Sequence, residues 1–272
     1  MGRIYLKRAV ICIGLLFTLL GKNALAQSKD AVWPEPGKDS KSNAKLVLDV
    51  SHMEDGYFLA KVKNKSKKRL KLRVVSGEET LTYDLNGKGD TEVFPLQLGS
   101  GKYTVALFEN VSGKKYSQAG KVSLSVKLRR EDAAFLIPNQ YVSYVKTTEA
   151  VLKSDELTEG KGETQRYDAV CDFMKSSFVY DFVRAATISA GTLPDIDGCY
   201  EKRMGICQDL SAVTCCMLRV AGIPSKMVIG YADKQYHAWT VATVEGKEVF
   251  FDPTASLAAM AKLRKYTVER MY

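Results

Sequence analysis

Residues 205–224 read GICQDLSAVTCCMLRVAGIP, and this stretch predicts a helix that begins at a cysteine. The residues predicted to face a core recur with the three- and four-residue spacing of a helix. They are Leu210, Val213, Thr214, Met217 and Ala221. Gly222 and Pro224 then provide a C-terminal cap and a residue that cannot continue the helix. Cys207 therefore lies at the predicted N-terminus, where free N–H groups and the helix dipole favour a thiolate.

The segments on either side of this helix predict an α+β arrangement for residues 131–272. An earlier helix is indicated by the same spacing at Tyr167, Val170, Cys171, Met174, Phe178 and Phe182. Residues 227–231, 236–245 and 247–252 follow the helix and have the apolar content of strands. The predicted order is helix, helix and strands, which is an α+β half.

The last two predicted strands are joined by Glu245 and Gly246, a pair typical of a two-residue hairpin turn. Pairing of Val244 with Lys247 fixes the register of the whole hairpin. That register matters because it decides which polar side chains of the two strands lie on one face.

In this register His237 pairs with Thr254 and Trp239 pairs with Asp252. His237 and Asp252 are then diagonal neighbours on one face, about 7 Å apart at the backbone. A carboxylate can hold one imidazole nitrogen and leave the other to accept a proton from Cys207. The alternatives are a surface His–Asp pair without chemistry and a buried structural cysteine.

Four ordered blocks of this sequence resemble the transglutaminase-like superfamily. They are residues 205–211 (GICQDLS), 221–224 with 228–231 (AGIP and VIGY), 237–239 (HAW) and 251–254 (FDPT). The resemblance implies a papain-like core preceded by a β-sandwich of the kind seen in secreted bacterial relatives. It implies Cys207 as nucleophile, His237 as base and Asp252 as the acid that orients the base. Tyr180-Asp181 resembles a pair common in bacterial members.

The function implied is cysteine-dependent acyl transfer on amide bonds of a protein or peptide, through a thioester on Cys207. Water as acceptor gives a peptidase or amidase, and an amine gives a transamidase. A non-catalytic adhesion or scaffold protein that keeps the fold is the alternative, because fold alone does not determine function. No cofactor or metal is expected, since we find neither a calcium loop nor a zinc-binding spacing.

The first half of the chain alternates apolar and polar residues with a period of two. Runs of this kind at 46–50, 81–85, 103–108 and 122–128 are separated by glycine-rich turns. Six or seven short strands of this spacing predict an all-β sandwich over residues 45–130. Residues 27–44 are polar and are predicted to be a flexible leader.

The N-terminus has the features of a secretory signal peptide. Three basic residues precede an apolar run at 9–20, and Ala-Leu-Ala follows at 24–26. The apolar run is shorter than the roughly 20 residues that a spanning helix needs. We therefore predict a signal peptide at 1–26, a secreted or cell-surface location such as the cell wall, and no stable membrane span after cleavage. An uncleaved anchor is the alternative.

Positive charge is concentrated in the first half of the mature chain. Residues 27–130 contain 20 basic and 12 acidic residues, whereas residues 131–272 contain 16 and 19. Many of the basic residues lie between Lys61 and Arg73, where they alternate with apolar positions as on the solvated face of two strands. The alternative is a surface that attracts an anionic cell-surface polymer. Nucleic acid is not expected, because no aromatic residues are interleaved for base stacking.

Five cysteines remain after residue 26, and this odd number leaves one unpaired. Cys207 is predicted to be the free thiol. Adjacent cysteines in a helix splay apart and cannot easily bond each other. Any bridge from Cys215 or Cys216 must then reach Cys171 or Cys199. We predict a disulfide from Cys199 to Cys215 or Cys216, because Cys199 lies in the predicted loop before Cys207.

Overall fold

The computed structural model describes residues 31–257 and 265–272 of the 272-residue chain. Period-two alternation produces strands in the first half because a strand that buries one face needs an apolar side chain at every second position. The strands are β1 (Ser40–Ser42), β2 (Leu46–Asp49), β3 (Tyr57–Val62), β4 (Leu70–Ser76), β5 (Glu79–Leu85), β6 (Glu92–Pro95), β7 (Gly101–Ser112) and β8 (Lys115–Val126).

These strands form two antiparallel sheets that pack through one apolar core. One sheet has the order β1-β2-β3-β6 and the other has the order β5-β4-β7-β8. Inward-facing side chains of both sheets meet in the core, among them Leu48, Phe58, Leu72, Phe94 and Leu107. The predicted all-β sandwich is therefore confirmed.

The prediction of a flexible leader is wrong for residues 31–44. Ser40–Ser42 pairs with β2, and the ring of Trp33 packs edge-on to the ring of Tyr144 with centroids 5.9 Å apart. All three side chains of β1 are exposed, so its position depends on backbone hydrogen bonds that leave no apolar pattern in the sequence. The segment is an edge strand with one aromatic anchor.

The second half contains more helices than the two predicted. Within the described ranges they are α1 (Glu149–Thr158), α2 (Glu163–Ser177), α3 (Phe182–Thr187), α4 (Ile196–Lys202), α5 (Cys207–Val220) and α6 (Pro253–Leu257). Two short parallel strands, β9 (Val179–Tyr180) and β10 (Met204–Gly205), lie between them.

The helix predicted to continue to Phe182 ends at Ser177. Phe178 is extended and still buried, so it satisfied the apolar spacing without being helical. The chain then hydrogen-bonds to β10, and Phe182 begins the separate helix α3. A long-range strand pairing thus replaces a local helical preference.

Helix α5 begins at Cys207 and ends at Val220, as predicted. Gly222 has a φ of 77°, the left-handed conformation expected of a glycine after a helix. Every residue from Asp209 to Val220 is buried, because α5 packs between α1 and α2 on one side and a sheet on the other. The helix is therefore central to the core.

The sheet beneath α5 has the order β13-β12-β11-β14. Its strands are β11 (Ser225–Ala232), β12 (Gln235–Val244), β13 (Lys247–Phe251) and β14 (Tyr266–Met271). The first three match the predicted strands, and β14 was not predicted. A Cβ on Gly230 would lie 2.0 Å from the Thr267 carbonyl oxygen, so glycine is needed for β14 to approach β11.

The hairpin turn has the predicted register, with Val244 paired to Lys247. Glu245 and Gly246 both have positive φ, at 48° and 74°. This is the type I′ geometry that suits the twist of two antiparallel strands.

The pairs predicted for His237 and Trp239 with residues beyond the hairpin do not form, because the ladder ends at the Thr240–Phe251 pair. The next residues leave the sheet. Pro253 has no N–H for a ladder and a φ suited to a first helical turn, and it begins α6.

The two halves share one apolar core. The ring of Tyr272 stacks on Tyr141 at 3.6 Å between centroids and meets Tyr83 of β5 edge-on at 6.1 Å. The Gln97 side chain donates to the Met271 carbonyl. The domain limits at residues 45, 130 and 272 stay predictions, and the contacts indicate that the halves stabilise each other.

Candidate active site

Cys207 is the first residue of α5 and is half-buried. The chain reaches it through Gly205, where a Cβ would lie 2.6 Å from the sulfur of Cys199 on α4. This contact leaves no space for a larger residue, so α4 packs closely against the start of α5. The first N–H groups of a helix have no partner within it, which places donors beside the thiol.

His237 and Asp252 form a buried pair, although the hairpin ladder does not extend to them. His237 Nε2 lies 2.8 Å from Asp252 Oδ2, and each residue is 4% exposed. The other oxygen, Oδ1, accepts from the Ala255 N–H at 3.0 Å in the first turn of α6. The first turn of α6, which follows the end of the hairpin ladder, therefore holds the Asp252 carboxylate.

The contacts that His237 and Asp252 make have a larger effect on their pKa values than burial has. Burial opposes a charged imidazole, but hydrogen bonds with Asp252 and Cys207 raise the pKa of His237 to about 9. Burial also opposes a charged Asp252, yet the hydrogen bond from His237 lowers the pKa of that carboxyl below its usual value. At neutral pH the pair is an imidazolium and a carboxylate.

Cys207 is the second hydrogen-bond partner of His237. Asp252 occupies Nε2, so Nδ1 is the ring nitrogen left for the thiol. The structure thus brings the three predicted site residues together in the order cysteine, histidine, aspartate. An adjacent imidazolium favours the thiolate form of a cysteine.

Tyr266 is a site residue that the sequence did not indicate. Its hydroxyl donates to Asp252 Oδ2 at 2.7 Å, on the oxygen that also contacts His237. Its ring packs edge-on to Trp239 at 5.0 Å and Phe250 at 4.7 Å. The residue lies on β14 beyond the end of the recognisable motifs, so no local pattern marked it.

Replacing Tyr266 with phenylalanine should lower kcat/KM about tenfold or more, because a hydrogen bond to a charged group is worth about 1.5–3 kcal/mol. The Tyr266 hydroxyl helps to lower the pKa of Asp252. Without it the acid limb of the pH–rate profile should move to higher pH. Tyr231→Phe is the matched control, since Tyr231 packs on Tyr236. Superimposable pH profiles for the two variants would contradict a role in holding Asp252.

Asp209 fixes the N-terminus of α5 from within the protein. The carboxylate is 1% exposed and accepts from the Ile206 N–H at 3.2 Å and the Asp195 N–H at 3.1 Å. Arg184 of α3 donates to it from Nε at 2.9 Å. A buried charge needs such partners. Here they join the segments that contain Arg184, Asp195 and Ile206 to Asp209 at the start of α5.

The Tyr180-Asp181 pair lies beside the cysteine. Asp181 caps α3 by accepting from the Arg184 N–H at 2.8 Å, and its own N–H donates to the Gly205 carbonyl at 3.0 Å. Burial raises the pKa of Tyr180 to about 12, with a further contribution from the nearby Cys207. This pair therefore joins α3 to the start of α5.

The predicted disulfide from Cys199 is wrong, since all five cysteines in the described residues are free. Cys199 contacts Gly205 at the start of α5, whereas Cys215 is eight residues past Cys207, about 12 Å along the helix. A disulfide needs Cα atoms about 5.5 Å apart. Cys215 and Cys216 are instead fully buried.

No group of three His, Cys, Asp or Glu side chains suited to a metal ion occurs in residues 31–257 and 265–272. The expectation that the site needs no metal or cofactor stays a prediction.

Residues 153–253 match the family described as the transglutaminase-like superfamily. No sequence among the curated proteins matches the chain. The family match supports a cysteine-dependent enzyme of the protease and acyltransferase class at the level of the family.

Solved structures show partial similarity at low identity. A candidate cysteine protease from Cytophaga hutchinsonii is 14% identical over 79% of this chain and 83% of its own, with a TM-score of 0.40. A candidate protease from Parabacteroides distasonis is 17% identical over 68% and 38%, with a TM-score of 0.34. Red sea bream transglutaminase is 14% identical over 76% and 49%, with a TM-score of 0.30. The assignment therefore depends on the family match.

Proposed function

We propose that this protein is a secreted enzyme that transfers acyl groups from amide bonds of proteins or peptides through a thioester on Cys207. One observation carries the proposal. His237 contacts both Cys207 and Asp252, and Cys207 lies at a helix N-terminus. This is the nucleophile, base and orienting acid arrangement of cysteine acyl transfer.

The reaction follows from these contacts. The Cys207 thiolate, paired with the His237 imidazolium whose Nδ1 holds the proton, attacks the amide carbonyl carbon. The C–N bond then breaks as the imidazolium donates its proton to the leaving amine. Asp252 keeps its charge throughout and stabilises the imidazolium, which is why a buried carboxylate at 2.8 Å from Nε2 is useful.

The tetrahedral intermediate carries a negative oxygen that needs donors. The Cys207 N–H is at the first position of α5, where it has no partner within the helix. We propose it as one oxyanion donor, assisted by the helix dipole.

A protein or peptide substrate is favoured by the surface next to the cysteine. Phe182 and Val183 are 76% and 77% exposed on α3, the helix that Arg184 joins to Asp209. Adjacent large apolar side chains in solvent are typical of a surface that binds a partner. We propose that they contact apolar side chains near the amide bond that reacts.

The thioester has two classes of acceptor, water and amines. Hydrolysis gives peptidase or amidase activity, whereas capture by a lysine gives a cross-link. Mass analysis of a reacted peptide, with and without an added primary amine, distinguishes them. An amine adduct on the acyl product defines a transamidase, and its absence with free acid formed defines a hydrolase.

A cysteine-directed electrophile should label Cys207 first in the folded protein. Burial raises the pKa of Cys171 and Cys199 to about 12, and Cys215 and Cys216 are fully buried. Peptide mapping after brief treatment with iodoacetamide measures the site and rate. Cys207→Ala is the control and should remove the fast label.

The labelling rate separates the enzyme from a scaffold that keeps the fold. A rate for Cys207 well above that of a free thiol at the same pH would support the enzyme. A rate no higher than that of the free thiol would contradict it and favour a non-catalytic adhesion or scaffold protein.

Secretion is part of the proposal and depends on the sequence at 1–26, which lies outside the described residues. Among the described residues there is no helix with both the length and the apolar character needed to cross a membrane. N-terminal sequencing of the exported protein should find Gln27 first. A cell-associated chain that starts at Met1 would contradict cleavage.

A further inference from the structure

One end of the sandwich brings together basic side chains from separate segments. The connection 63–69 hydrogen-bonds to a neighbouring turn through the Ser66 N–H and Gly87 carbonyl at 2.8 Å. It also contacts β7 through the Asn110 N–H and Arg69 carbonyl at 2.9 Å. We call this surface the basic end, and its exposed members are Lys45, Lys63, Lys65, Lys67, Lys68, Arg69, Lys88, Lys114 and Lys115.

Carboxylates at the basic end are fewer than the cations. Glu109 lies 2.6 Å from Lys45 and 3.1 Å from Lys68, and the hydrogen bond from Lys45 lowers the pKa of its carboxyl. Asp90 and Glu92 flank the neighbouring turn. Seven of the cations have no ion pair to any residue in the described part of the chain, namely Lys63, Lys65, Lys67, Arg69, Lys88, Lys114 and Lys115.

The basic end also contains a small cavity of about 260 Å³. Lys45, Lys65 and Lys68 line it together with Ser66, and Glu109 is on its wall between two of these lysines. The volume is below the roughly 300–1,000 Å³ of small-molecule sites. It suits a single charged unit of a longer ligand better than a complete cofactor.

The basic end is far from the segment after β8 that connects the sandwich to residues 131–272. Strand β7 starts at Gly101, which pairs with Val126 just before that connection, and ends at Ser112 beside the basic end. Twelve residues of strand span about 40 Å. The second half contacts the sandwich nearer to the basic end through Gln140, which bonds the Asp84 backbone. Cys207 is still remote, because Arg219 bonds the Tyr272 carbonyl beside Tyr83 and Cys207 lies twelve residues, about 18 Å, away along α5.

We propose that the basic end binds a linear anionic polymer that carries repeated phosphate, sulfate or carboxylate groups. Eight of the nine cations are lysines, which act as mobile point charges and lack the planar fork of arginine. They suit a ligand recognised by its charge density. Such binding would hold the protein on an anionic matrix while the distant site reacts, and it does not depend on the proposed reaction.

The test uses heparin for a sulfated glycan and a polyphosphate chain for a phosphate polymer, each titrated at several salt concentrations. Lys63→Gln/Lys65→Gln/Lys67→Gln should weaken binding at least about tenfold and reduce the salt slope by up to about three, because each lysine lost removes about one charge contact. The control Lys161→Gln/Lys202→Gln/Lys247→Gln changes the net charge equally at exposed sites elsewhere. It should bind as the unaltered protein does.

Binding of either polymer through these lysines supports the proposal, and the stronger polymer identifies the source of charge. Equal weakening by both triple variants would overturn it, since net charge alone would then explain the affinity. Tighter capture by phosphatidylserine vesicles than by either polymer would also overturn it in favour of a membrane surface. Turnover of a soluble peptide should be the same for both variants.

Discussion

Replacing Cys207 with alanine should abolish acyl transfer, with a loss of at least about a thousandfold in kcat/KM. The sulfur supplies the nucleophile, and no other described cysteine contacts His237. The fold should remain, because Cys207 is half-buried and only one atom is removed. Activity assay and circular dichroism of the purified variant measure the two effects.

Cys171→Ala provides the matched control for this change. Cys171 is buried on α2 next to Tyr167, so the same atom is lost from the core without touching the site. We expect a lower melting temperature and retained turnover. Retained turnover in Cys207→Ala would instead show that another group is the nucleophile.

The second large effect is expected from Asp252→Asn, which should reduce kcat/KM by about 10²- to 10⁴-fold and less than Cys207→Ala. An amide can keep the shape of the side chain but offers no charge to stabilise the His237 imidazolium. The nucleophile is still present, so residual activity should be measurable. Losses equal to those of Cys207→Ala would mean that Asp252 does more than orient and stabilise His237.

The same variant should change the pH dependence. In the unaltered protein the pKa of His237 is raised from 6.5 to about 9, so the imidazolium is present below that pH and is lost as the pH rises through about 9. Loss of the Asp252 charge leaves burial, which favours neutral imidazole, so the alkaline limb should move to lower pH. The pH dependence of kcat/KM measures this shift. Asp172→Asn, an exposed change on α2, should leave the limb near 9.

The motif residues could be located from the sequence because their constraints are local. A helix that starts at Cys207 and ends before Gly222 follows from spacing and capping, and the structure has both limits within about a residue. The hairpin turn at 245–246 likewise follows from its residue types. The sandwich was predictable because a half-buried strand alternates with a fixed period.

Contacts between distant segments left no such pattern. Tyr266 reaches Asp252 from a strand beyond the hairpin, and Arg184 reaches Asp209 from a six-residue helix. Each contact depends on where whole elements pack, and a tyrosine or arginine in a polar segment is ordinary. The edge strand at Ser40–Ser42 was missed for a related reason, since backbone pairing does not require apolar side chains.

The sequence by itself determined the class of core, the two sheets of the sandwich and the identity of the three candidate reactive residues. The tertiary structure decided how they meet. The predicted hairpin register placed His237 and Asp252 together correctly, although the strand ladder ends before it reaches them. The chain turns into α6 at Pro253, and Asp252 contacts His237 from that turn. Period and capping act over a few residues, whereas the position of a hydrogen-bonded side chain depends on every element packed around it.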